Sequence, residues 1–307
     1  MTVRGKQVLI MLATAGLAGC GGGSSQQEPT GYLSLGVSDA PLHSTQKVCI
    51  TFDDVELKRA GDGPPFLVDL PQTKVNLLDF QGMNAAPLLF NEEVPAGEYL
   101  WMRLVIDASQ GGIGGQGDSG DPNVCDGAAS YFVMDDENTY NIVVPSGDQN
   151  GLKMIGGFTV PVNASADFTA EWDMMQSMTE PPGLSPDVIV RPVIKLVNNA
   201  EVGALSGRVS ADLAAAAGCE PAVFVFDNAD PDQSDVGVSD IAATGIVAPV
   251  DNADGTTGYE YEIGFLLAGE DSYEAAFTCD GMDFVEPDEG MNPFDIVAGE
   301  MTVIDFL

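Results

Sequence analysis

The chain has 307 residues, 45% of them hydrophobic, and 47 acidic side chains stand against 11 basic ones for a formal charge of −36. An ordinary hydrophobic fraction excludes an intrinsically disordered chain, and so few cations exclude a nucleic-acid binder, which must neutralise phosphates. Such a surface suits solubility in salty water, where screening relaxes self-repulsion, or the attraction of cations.

Arg4 and Lys6 precede an apolar run, Val8 to Leu17. The run falls short of the ~20 apolar residues that span a bilayer, so it reads as an export signal rather than a membrane helix. Leu17-Ala18-Gly19-Cys20 resembles the bacterial lipoprotein box. That resemblance implies cleavage before Cys20, acylation of its thiol and new amine, and stable anchoring through more than one acyl chain. Gly21 rather than Asp at the next position implies the outer membrane, on its periplasmic or external side. The expected division is a signal peptide over 1–19, a Gly/Ser/Gln tether over 20–30, a first domain over 31–200 and a second over 201–307.

Gly31 to Val37 alternates as a strand should, and Ser38-Asp39-Ala40-Pro41 is expected to end it, Asp39 bonding its own backbone in a turn. Strand-like runs follow at Lys47–Phe52, Asp54–Lys58, Phe66–Leu70, Val75–Phe80 and Leu100–Asp107. Further runs lie at Ser130–Met134, Tyr140–Val144, Gly157–Val162, Ala166–Trp172 and Val188–Val197. Short helical turns are expected only at Met174–Thr179 and Asn84–Phe90. The Gly-rich loop Ser109–Gly127 lacks lysine and arginine, so it is no phosphate cradle. Many short strands with Gly, Pro and Asp turns predict an all-β fold, two β-sandwiches in tandem.

Gly31 to Pro41, Val48 to Phe52, Val55 to Leu57, Val94 to Tyr99, Met102 to Asp107, Gly151 to Lys153 and Arg191 to Lys195 occur in an order that resembles a bacterial lipoprotein family, domain of unknown function 4382. The likeness covers about 31–197. It implies architecture and location but no activity, and Leu42-His43-Ser44 stands where the family carries an acidic residue. From Gly203 onward, Ala204–Ser210, Ala222–Asp227, Tyr259–Leu266, Tyr273–Cys279 and Met301–Phe306 resemble a prealbumin-like or carboxypeptidase regulatory-like sandwich of the carbohydrate-binding-like group. Modules of that kind are spacers or adhesion and binding units.

Besides Cys20, four cysteines fall two and two. An exported chain meets an oxidising compartment, and of three possible pairings only Cys49–Cys125 with Cys219–Cys279 keeps each bridge within one half. Zinc is the weaker reading, since no CxxC occurs and His43 is the only histidine. One histidine in a polar loop reads as solvated rather than as part of a triad. Trp101 and Trp172 are expected in the core. Asp227, Asp230, Asp232 and Asp235 could offer a calcium ion its oxygens, though without EF-hand spacing; no other cofactor is expected. The sequence thus points to a nonenzymatic, lipid-anchored envelope protein. Its partners would be the membrane and a polysaccharide or envelope protein, not nucleic acid, with carbohydrate binding or adhesion, and then hydrolysis, as alternatives.

Overall fold

The computed structural model describes residues 28–40, 42–108, 121, 124–126, 129–135, 138–144, 151–179, 187–227, 241–279, 281, 283–287 and 293–307. Cys20 and the residues expected to form a signal lie outside them. Twelve strands among these residues build the first sandwich: β1 (Thr30–Ala40), β2 (Thr45–Arg59), β3 (Phe66–Asn76), β4 (Ala86–Pro95), β5 (Gly97–Ile106), β6 (Tyr131–Met134), β7 (Thr139–Val143), β8 (Leu152–Val160), β9 (Ser165–Asp173), β10 (Met178–Thr179), β11 (Asp187–Val190) and β12 (Ile194–Asn198). One sheet runs β12-β9-β1-β4; the other runs β10-β11-β7-β6-β2-β5-β8, with β3 also on β2.

Alternation explains the core between them. Leu33, Leu35 and Val37 of β1 point inward, as do Ala166, Phe168, Ala170 and Trp172 of β9, meeting Met102 and Leu104 from the facing sheet. Lys47–Phe52 and Asp54–Lys58 are one 15-residue strand rather than two. The register on both neighbours slips between Phe52 and Asp54, so Asp53 is the extra residue of a bulge that bends the strand without breaking it. Val75–Phe80 is a strand only to Asn76, whose side chain accepts from the Val48 N–H at 3.0 Å and donates to Asp79 at 3.1 Å; a 3₁₀ turn, Leu77–Asp79, follows.

Two expectations fail here. Asn84–Phe90 is not a helical turn, because Ala86 onward pairs antiparallel with β1. Asp39 does not end β1, since parallel pairing with β9 carries the strand to Ala40. Asp39 is instead buried and accepts from the Met174 N–H at 3.2 Å, at the start of the helical turn α1 (Met174–Ser177).

The second sandwich is formed by β13 (Val202–Arg208), a helical turn α2 (Ala211–Ala214), β14 (Ala222–Asp227), β15 (Ile241–Ile246), β16 (Ala248–Asp251), β17 (Thr257–Leu267), β18 (Gly269–Thr278), β19 (Phe284–Val285), β20 (Phe294–Ile296) and β21 (Met301–Val303). Its sheets run β16-β17-β13-β21 and β15-β14-β18-β19, with β20 on β18. Its own core includes Leu205, Val223, Val225, Ile263, Phe277 and Phe306. Tyr261 is buried and donates to the Ile304 carbonyl at 2.7 Å, which satisfies its hydroxyl.

Each sandwich carries one disulfide. Cys49–Cys125 ties β2 to the segment before β6, and Cys219–Cys279 ties the chain after α2 to the end of β18. Beside the first, the buried Lys47 ammonium donates to the carbonyls of Asp121 at 2.7 Å and Val124 at 3.1 Å. A buried cation needs such partners, and these hold the loop against β2.

Candidate functional site: the cleft between the sandwiches

The outward face of β9 is polar by alternation: Asp167, Thr169, Glu171 and Asp173 face away from the first core. That pattern ordinarily means solvent, but here all but Asp167 are buried: Thr169 donates to Asn199 at 2.8 Å, and the second sandwich covers Glu171 and Asp173. Thr244 of β15 donates to the Asp173 carboxylate at 3.4 Å, and the Lys195 ammonium donates to the Ala242 carbonyl. On the other flank the turn at Gly82 meets β17. The Met83 N–H donates to Glu262 at 3.1 Å. Gly82 has φ +61°, and a Cβ on Gly264 would fall 2.1 Å from the Gly82 carbonyl oxygen, so both glycines are required by the closeness of this junction.

A cleft of about 680 Å³ opens beside the junction, within the range of small-ligand sites. Strands β8 and β12, the edges of the two sheets of the first sandwich, run along it, facing β15 and β17 of the second. Phe158, Phe168, Phe265 and Tyr273 supply apolar wall; Glu171, Glu201, Asp227 and Lys195 supply charge. Glu171 and Lys195 are direct cross-strand partners.

Burial dominates the electrostatics. It pushes the Glu171 carboxyl up to about 7, against the pull of Lys195 and with help from Asp173. Asp39 is raised well above its ordinary range by burial, then by Asp173 and Glu171, the Met174 N–H opposing; its Oδ2 has no partner among the described residues. Asp173 is raised by burial too, although Gln176 bonds both its oxygens, at 2.9 and 2.6 Å. Among the described residues, three carboxyls thus share one buried junction with one nearby ammonium. Such an arrangement can hold or release a proton and can attract a cation.

The residues singled out in the sequence stand elsewhere. Cys20, Asp230, Asp232 and Asp235 lie outside the described residues; Asp227 ends β14 at the cleft wall. Among the described residues no group of three or more His, Cys, Asp or Glu is placed to hold a metal, and no helix is long and apolar enough to cross a membrane. His43 is not a solvated loop residue: it lines a pocket with Leu42, Met175, Glu220 and Phe224, its Nε2 is buried without a partner among the described residues, and burial lowers its pKa. Trp172 is fully buried, its Nε1 donating to Ser177 at 3.1 Å. Trp101 is not in the core. Met102 and Leu104 take the inward positions of β5, leaving Trp101 half-buried on the outer face with the Lys153 ammonium 4.3 Å from its ring centre. Glu171, Lys195, Asp39 and Asp173 carry no sequence signal as a site, because outward polar residues on a strand look solvent-facing until a second body covers them.

The family model described as "Domain of unknown function (DUF4382)" matches residues 30–192, more than half of the chain. The chain belongs to this family. The DUF4382 match ends just before β12, so the family's strands supply β8 and β9 of the cleft, while the segment beyond supplies β12 and the opposite wall. No curated protein matches the chain. Among solved structures it is similar to an adhesin candidate from Bacteroides ovatus, at 8% identity over 92% of this chain and 94% of that one with a TM-score of 0.20. It is also similar to the fimbrial anchor protein Mfa2 from Porphyromonas gingivalis, at 9% identity over 83% and 82% with a TM-score of 0.20. The shaft pilin SpaA from Lactobacillus rhamnosus GG stands at 9% identity over 92% and 98% with a TM-score of 0.16. Likenesses at these scores are too remote to bear on function.

Proposed function

We propose that this protein is a noncatalytic interaction module of the cell envelope, lipid-anchored at Cys20 in the outer membrane, that receives a partner in the cleft between its sandwiches. The observation that carries this reading is the cleft itself, where sheet edges, aromatic side chains and a buried carboxyl converge between two bodies. Leu17-Ala18-Gly19-Cys20 and the tether after it support the anchor. Membrane fractionation of whole cells tests the anchor: the native protein stays with the outer membrane, and Cys20→Ser moves to the soluble fraction. A photo-crosslinker at Ile155, which is 83% exposed on the cleft rim, tests the cleft in the same cells. Equal partition of both proteins together with no cross-linked envelope component would remove the reading.

A carbohydrate-binding role is the second reading, favoured by Trp101, a half-exposed indole on a sheet face beside Ile155. Trp101→Ala would abolish retention on a polysaccharide matrix under that reading and leave it unchanged otherwise. A calcium ion held by Asp227, Asp230, Asp232 and Asp235 would add a staple after β14. Thermal unfolding in calcium against sodium at equal ionic strength decides it: a calcium-specific rise lost in Asp230→Asn/Asp232→Asn supports the ion, and superimposed curves remove it.

A further inference from the structure

β8 is the outermost strand of its sheet. It pairs with β5, and among the described residues Met154–Thr159 make no hydrogen bond to any other element. The unpaired N–H and C=O groups of such an edge recruit extended chains unless it is blunted or covered. This edge opens into the cleft with β12 running alongside it, and Gly156 and Gly157 stand at its middle. They lie in a bulge opposite Leu100, but a bulge calls for glycine only at a left-handed residue, and neither has a positive φ. A side chain on Gly156 would meet nothing within 4 Å among the described residues. Nothing among the described residues asks for glycine here, although glycine weakens a strand by about 0.5–1 kcal/mol. The remaining use of glycine inside a strand is to let another backbone or ligand come close.

The charge of the walls selects the visitor. Glu171, Glu201 and Asp227 outnumber Lys195 in the cleft. A second copy of this chain would bring an acidic surface to an acidic slot. We propose that the cleft binds an extended peptide carrying a lysine or arginine, which adds as a further strand on the free edge of β8 with its cation toward Glu171. This names the partner class for the cleft and rests on the cleft being a binding site.

The test uses the full soluble chain from Gly21 and a fluorescent synthetic octapeptide of alternating threonine and valine with one central lysine. Binding is read by anisotropy and by amide hydrogen exchange. The lysine peptide should saturate and slow exchange across Met154–Thr159. Its central-glutamate counterpart should bind at least about tenfold more weakly, and Glu171→Gln should bring the two peptides together. N-methylation of alternate peptide amides removes donors while keeping every side chain: one of the two registers should lose binding and the other retain it. The proposal is overturned if the lysine peptide at millimolar concentration leaves exchange in β8 unchanged, or if both methylated registers bind like the parent. In that case cross-linking from Ile155 to another envelope component would keep the interaction module while discarding the peptide; failure of both discards the cleft as a binding site.

Discussion

The two sandwiches have the same architecture but rest on different balances. The first has the larger core and holds most of the cations of the chain after Cys20. The second, from Glu201 onward, has 23 acidic residues and a single cation, Arg208, whose guanidinium and backbone N–H both bind Asp305 at 2.8 Å, joining β13 to the C-terminal segment. The first therefore stands on apolar burial, which scales with area and ignores salt to first order, while the second carries more self-repulsion on a smaller core and leans on its disulfide. What separates them is how much each depends on conditions.

Removing the disulfides one at a time is the harshest way to break this contrast. The bridges span 76 and 60 residues, so loop entropy assigns them nearly equal values of about 4 kcal/mol each. Equal losses should have unequal results. In urea at moderate salt, Cys219→Ser/Cys279→Ser should unfold the second sandwich separately at low denaturant while β1–β12 persist. Cys49→Ser/Cys125→Ser should lower the first transition but leave it cooperative. Equal behaviour of the two variants would mean that the cores, not the bridges, are matched.

The next effect lies at the junction. The folded state holds the Glu171 proton up to about 7, whereas an ordinary glutamate has let it go above about 4.5. The folded protein therefore binds more protons across that window, and this group lowers stability as pH rises through it, by up to about 3 kcal/mol by linkage. Asp39 and Asp173 act in the same direction. Glu171→Gln should match the native protein near pH 4 and exceed it at pH 8 in chemical denaturation. A difference independent of pH would mean that the carboxyl ionises freely in the folded state.

What the sequence made legible follows from which residues act within one strand and which act between bodies. The alternation of Leu33, Leu35 and Val37, or of Met102 and Leu104, reports burial locally, and it was enough for two sandwiches. It could not place Trp101, because bulk and hydrophobicity argue for the core while only the parity of β5 against Met102 sends the ring outward. Nor could it see that Ser38-Asp39-Ala40-Pro41 continues a strand, since the partner that holds it, β9, lies more than a hundred residues away. Glu171 was illegible for the same reason: on its own strand it is an outward polar residue, and the second sandwich alone turns it into a buried acid. The cleft belongs to the pairing of two bodies, which no local pattern encodes.

Salt sharpens the comparison at smaller amplitude. Screening shortens the reach of repulsion to ~10 Å at 0.1 M and ~3 Å at 1 M, so the midpoint assigned to the second sandwich should rise by several degrees between those concentrations while that of the first moves less. Arg208→Ala should steepen the response, because it removes the one local cation and leaves Asp305 only the backbone N–H of residue 208. Parallel shifts of both transitions would show that the net charge is felt by the whole molecule.

The smallest effect is the most discriminating about β8. Gly156→Thr places a β-branched side chain where no described residue lies within 4 Å, so it trims the freedom of the unfolded chain and suits the pleat. The expected gain is about 0.5–1 kcal/mol, read as a higher urea midpoint with unchanged slope. A gain would mean that Gly156 is kept at a cost to the fold, as expected where an approaching backbone needs the space. A loss would mean that the bulge opposite Leu100 itself requires glycine, and the case for a visiting strand would then rest on the free edge and the acidic walls alone.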